Sequence, residues 1–98
     1  MFKGYINMSS EDDYLKIAAY IKCSDYRVKV VNFLRDHEYG MPRDIAKGIG
    51  IRQNHISKVF SELKSKGVIV CLNPEVRKGR IYRLTSEGEK VLEFMDKL

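Results

Sequence analysis

The chain has 98 residues, 44% of them hydrophobic, and a net charge of +5, which suits one compact domain with one core and leaves no room for a second. Its longest apolar stretch, Gly67 to Leu72, is far below the roughly 20 residues of a membrane span. Met1 to Ser10 lacks the continuous apolar block of a secretion signal, so a soluble, cytoplasmic protein with no membrane partner is expected.

The charge is unevenly spread. Residues 1–40 hold 6 basic and 6 acidic side chains, residues 41–84 hold 10 and 3, and residues 85–98 hold 2 and 4. An excess of +7 in the middle segment is what a phosphate-binding surface requires, because neutralised phosphates release condensed counterions. A solvated basic face would show the same excess, so charge alone does not separate the two.

Ser10 followed by Glu11, Asp12 and Asp13 predicts an N-terminal helix over 10–22, the hydroxyl capping free amides and the acids complementing the helix dipole. Tyr14, Ile17, Ala18 and Ile21 recur on one face of it. Ser24 is a second cap and opens a core helix over 24–36. Tyr26, Val30, Val31, Phe33 and Leu34 give that helix a broad apolar face. His37 then falls at an exposed helix end.

Tyr39-Gly40 breaks the pattern, and Pro42 suits the first position of a short helix because its missing amide hydrogen has no partner there. That helix turns Ile45 and Ala46 inward and closes at Gly48-Ile49-Gly50, a turn short enough to throw the next helix sharply across it. The following helix, Arg52 to Lys66, places Ile56, Val59, Phe60 and Leu63 on one face and only polar residues on the other. Lys66-Gly67 ends it. Residues 42–66 therefore read as a helix-turn-helix.

Val68 to Leu72 and Arg80 to Leu84 read as an antiparallel pair. Asn73 to Gly79 is too long for a tight hairpin and should project between them as a flexible wing, the whole unit spanning 68–84. Thr85 caps a last helix over 85–98 whose apolar stripe, Val91, Leu92, Met95 and Leu98, exceeds what a small domain is expected to cover, making it a candidate dimer surface. The fold class expected is α+β and mainly helical: a winged helix-turn-helix with a two- or three-stranded antiparallel β-wing and flanking N- and C-terminal helices. It occupies residues 1–98 as one domain.

A helix fits the major groove, and one that buries one face on its own domain offers the other to base edges. Arg52, Gln53, Asn54, His55 and Lys58 cluster at the N-terminal end of that face, with Ser57 suited to a phosphate or a base; Gln and Asn suit adenine. Most amphipathic helices carry such residues merely for solvation, but the preceding glycine turn favours a reader. In the wing, Arg77, Lys78 and Arg80 suit phosphates or a minor groove. Arg43 and Lys47 are weaker backbone contacts.

Cys23, Cys71, His37 and His55 have no metal-ligand spacing, and a site built from all four would pull His55 off the exposed face. The cysteines read as small core residues that need no disulfide, as in a reducing compartment. No nucleophile motif or phosphate-cradling glycine loop is present, so neither an enzyme nor a cofactor is expected.

From about Ser24 to Leu98 the chain resembles winged-helix transcriptional regulators of the ArsR-like and MarR-like groups, particularly small archaeal ones. The resemblance is carried by Asp44-Ile45-Ala46 with Gly50-Ile51, by Ile56-Ser57-Lys58 with Leu63 and Lys66-Gly67-Val68-Ile69, and most specifically by Gly79-Arg80-Ile81-Tyr82-Arg83-Leu84-Thr85-x-x-Gly88. It implies a homodimeric regulator that binds double-stranded DNA, with the last helix in the dimer. Two departures stand out. Met41 and Arg52 occupy helix starts that the family often caps with Ser or Thr, which suggests shifted helix starts or a phosphate in place of the cap. The helical cysteine pair of metal-sensing relatives is also missing. The alternative reading is a winged-helix protein-protein interaction module of a transcription or other nucleic-acid-handling assembly. Operator and small-molecule effector are not legible.

Overall fold

A computed structural model describes residues 11–98 and contains five helices and a two-stranded sheet: α1 (Glu11–Lys22), α2 (Asp25–Asp36), α3 (Pro42–Ile49), α4 (Gln53–Ser65), β1 (Ile69–Cys71), β2 (Tyr82–Leu84) and α5 (Ser86–Asp96). The cap expected at Ser10 lies outside the described residues. Ser24 does cap α2, its hydroxyl oxygen accepting the Arg27 amide at 3.3 Å.

Helix α2 is the hub, touching α1, α3, α4 and β2, while α1 packs along α5. Val30, Val31 and Leu34 of α2 meet Ile45, Ile56, Leu63, Val68 and Val91 in one continuous core. Arg27 ties three helices together. Its Nε donates to Glu62 of α4 at 3.1 Å, its Nη1 to the Tyr20 carbonyl of α1 at 2.8 Å, and its guanidinium lies 3.8 Å from the Tyr20 ring. Such a half-buried cation with a carboxylate, a carbonyl and a ring face has its donors met without isolation from water.

The turn between α3 and α4 depends on Gly50, at φ 75° in the left-handed region that a Cβ disfavours. From there the amides of Gly50 and Ile51 return to the Ala46 carbonyl, closing α3. Both helices of the motif start where expected but without side-chain caps: Met41 and Arg52 have extended backbones and make no cap bond. The starts are not shifted, because Pro42 at the first turn of α3 and the Arg52 carbonyl accepting the His55 and Ile56 amides set them without a cap.

Strands β1 and β2 pair antiparallel with Ile69 opposite Leu84 and Cys71 opposite Tyr82. They are shorter than the sequence pattern suggests, although the Thr85 amide to the Val68 carbonyl and the Leu72 amide to the Ile81 carbonyl extend the pairing at both ends. Gly40 adds a one-residue third strand, exchanging two 2.9 Å bonds with Tyr82.

Three expectations are corrected. Tyr26 was expected in the apolar face of α2 but is exposed, its ring 5.2 Å from that of His55. Cys23 is exposed rather than a core residue, because it follows the last turn of α1 where the chain leaves the core. Cys71, by contrast, packs against the core as expected, half-buried with its thiol 3.6 Å from Asn73 Oδ1. The apolar stripe of α5, expected to exceed what the domain covers, is largely covered within the chain: Val91, Leu92 and Met95 are 0%, 2% and 6% exposed, with α1 packed along α5. Leu98 alone of that set is exposed.

Candidate nucleic-acid interface

The orientation of α4 follows from its buried row. With Ile56, Val59, Phe60 and Leu63 turned into the core, a helix of 3.6 residues per turn points Asn54, Lys58 and Ser61 most directly outward. Gln53, Ser57 and Lys64 flank them on one side, and His55 and Glu62 on the other. The first flank faces the wing and the second faces α2, as the Tyr26–His55 and Arg27–Glu62 contacts show.

Beside the wing-facing flank is a groove of about 360 Å³, lined by Met41, Pro42 and Arg43 of the α3 start, Gln53 and Ser57 of α4, and Arg77, Lys78, Gly79, Arg80 and Tyr82 of the wing and β2. The α3 start and the wing thus bring four cationic side chains, and none of the three elements brings a carboxylate, to one depression. It continues into a smaller one of about 260 Å³ where Ser61 and Lys64 join Ser57 and Arg80. Ser61 and Lys64 are absent from the sequence-derived set, although their spacing from Ser57 at i+4 and i+7 would have found them.

Of the sequence-derived residues, Arg43, Gln53, Ser57, Arg77, Lys78 and Arg80 meet at this groove. Asn54 and Lys58 are exposed on the adjoining helix surface, and Arg52 is exposed just before it. His55 is exposed too but lies toward Tyr26, away from the wing. Ser57 donates to the Gln53 carbonyl at 3.3 Å, which leaves its hydroxyl oxygen free to accept.

The wing is more ordered internally than its composition suggests. Asn73 Oδ1 accepts the Ile81 amide at 2.8 Å, and Asn73 Nδ2 donates to the Gly79 carbonyl at 3.1 Å. Arg80 folds back, donating from Nε to Val76 at 2.7 Å and from Nη2 to Pro74 at 3.2 Å.

A larger cavity of about 860 Å³ lies between the end of α2, β2 and α5, where Asp36, Glu38, Glu89, Glu93 and Asp96 outnumber Arg35 and Arg83. Its acidic balance opposes phosphate binding. Among the described residues no group of three or more His, Cys, Asp or Glu side chains is placed to hold a metal ion. No helix among them is long and apolar enough to cross a membrane.

No protein-family model matches the chain. Among curated proteins, 66 residues, or 67% of the chain, align at 30% identity with the phenylalanine–tRNA ligase alpha subunit of Metallosphaera sedula, of which the chain spans only 14%. Among solved structures, a mutant MarR from E. coli complexed with operator DNA superposes with a TM-score of 0.69 at 20% identity, over 90% of this chain and 64% of that one. The antimony-specific transcriptional repressor AntR gives 0.70 at 16% identity, over 99% and 84%. NadR, in complex with 4-hydroxyphenylacetate, gives 0.66 at 18%, over 99% and 76%. The fold is therefore a winged helix-turn-helix. Two helices precede the motif and one follows the wing.

Proposed function

We propose that this chain binds double-stranded DNA in a sequence-specific manner as a transcriptional regulator, with α4 in the major groove and the wing on the phosphate backbone. The observation that carries the reading is the carboxylate-free groove where Arg43, Arg77, Lys78 and Arg80 surround Gln53 and Ser57. Bases are read by hydrogen-bonding side chains on an exposed helix face and held in register by cations on the flanks, and this groove supplies both. Gln53 and Asn54 are the base-reading pair, suited to adenine edges. Arg43, Arg52, Lys58, Lys64, Arg77 and Lys78 meet phosphates. MarR, a protein of the same fold, is found on operator DNA, which supports the reading. A homodimer is part of this reading, and of the α5 stripe Leu98 is the residue exposed to a second chain.

Titration onto duplex DNA at several salt concentrations tests this. With about six phosphates neutralised per chain, log affinity should fall against log salt with a slope of about −5 to −6. Salt-independent or undetectable binding would sink it. A second reading, a module of an RNA-handling assembly, is favoured by the similarity to a tRNA ligase subunit. Tighter binding to a transfer RNA than to duplex DNA at equal salt would put that reading first.

A further inference from the structure

Arg77, Lys78 and Arg80 are three cations within four positions, but their surroundings divide them. Arg77 and Lys78 are exposed, whereas Arg80 is half-buried with two of its nitrogens committed to the Val76 and Pro74 carbonyls. Asn73 has both ends of its amide committed as well, to Ile81 and Gly79. The Val76 amide adds a bond to the Asn73 carbonyl at 3.2 Å. The loop is thus closed twice, at its base by Asn73 and across its tip by Arg80. A planar guanidinium holds two carbonyls in fixed relation, which a lysine ammonium on a flexible stem does not.

We propose that Arg80 and Asn73 are positioning residues that hold the wing in one shape, leaving Arg77 and Lys78 as the wing groups that touch the nucleic-acid backbone. The proposal rests on the DNA-binding reading. Its physical content is that the ordering cost of the loop is met during folding rather than during binding. Loosening the loop should therefore weaken binding even when no charge is removed.

The test compares wild type with Asn73→Ala, Arg80→Lys, Arg80→Ala and an Arg77→Ala/Lys78→Ala double variant, in DNA titrations and in native-state trypsin digestion. Asn73→Ala and Arg80→Lys should each lose roughly tenfold in affinity. Their salt slopes should shrink by about 2, toward that of the double variant, although one removes no charge and the other keeps it. Cleavage after Arg77 and Lys78 should accelerate about tenfold in both, while cleavage after Lys64 in α4 stays slow.

If Arg80→Lys binds and is digested like wild type, and Arg80→Ala only lowers the slope by about 1, Arg80 is a plain phosphate contact and the proposal is overturned. Cleavage rising equally after Lys64 also overturns it, because the residues would then support the whole fold. Should wild type bind no DNA, the DNA-binding reading fails, and the digestion alone decides the wing lock: unchanged cleavage in Asn73→Ala and Arg80→Lys ends it.

Discussion

Gly88, in the first turn of α5, lies directly against the carbonyl of Val68 just before β1: a Cβ at residue 88 would overlap that oxygen and sit 3.0 Å from its carbon. The carbonyl cannot easily retreat. It accepts the Thr85 amide at 3.0 Å, and the Thr85 hydroxyl lies 3.2 Å away, donating to Gly67 at 2.7 Å while accepting the Gly88 amide at 2.8 Å. Gly88→Ala should therefore destabilise the fold by about 3 kcal/mol, although alanine normally favours a helix by about 1 kcal/mol over glycine. Thermal unfolding checks this, with an expected fall in midpoint on the order of 10–20 °C. A midpoint at or above that of wild type would contradict the contact.

That pair also shows what a sequence reader can and cannot see. The run Leu84-Thr85-x-x-Gly88 is visible as a pattern, and the Thr85 cap follows from local chemistry. The reason for Gly88 lies 20 residues earlier in the chain, in a carbonyl that only the folded backbone brings near. The helices were legible because Ile17, Val30 and Ile56 sit in periodic rows that local geometry forces onto one face. The fate of Val91, Leu92 and Met95 was not, because an apolar stripe looks alike whether α1 or a second chain covers it. Similarly, Arg80 reads as a free cation until the loop is seen to curl beneath it.

Met95 therefore carries a different prediction from a dimer contact. At 6% exposure between α5 and α1, Met95→Glu would bury a carboxylate without a partner, at a cost of about 3–5 kcal/mol. Leu98→Glu, at 56% exposure, should leave stability within about 0.5 kcal/mol of wild type. Urea unfolding of both variants separates the cases. Equal midpoints for Met95→Glu and wild type would mean that α1 does not cover the stripe.

Alkaline pH should act through Tyr14. Its hydroxyl donates to Glu87 at 2.7 Å, joining α1 to α5. This bond, with burial and the nearby Glu87 and Asp13 charges, raises the Tyr14 pKa above its ordinary 10.0. The unfolded chain then releases the proton at lower pH than the folded one, so this contribution to stability is complete below about pH 10 and is lost as pH rises through the folded value. Tyr14→Phe should be less stable than wild type near neutrality, with the difference narrowing above about pH 10. Unfolding midpoints that keep a constant gap across that range would show that the proton does not matter.

Arg52 should reveal a conflict between stability and binding. It occupies the N-cap of α4 with φ −75° and ψ 152°, the extended geometry of a cap, but makes no cap bond. A serine in that geometry can accept an amide hydrogen bond from the first turn, so Arg52→Ser should stabilise the fold by about 1 kcal/mol and raise the midpoint by roughly 4–8 °C. The same change removes a cation from the approach to the major groove. DNA affinity should fall and the salt slope should shrink by about 1. Both effects together would mean that α4 forgoes a cap to keep a charge at its leading end. A stabilised variant that binds DNA as wild type does, with the same slope, would remove Arg52 from the contact set and leave the missing cap without a functional reason.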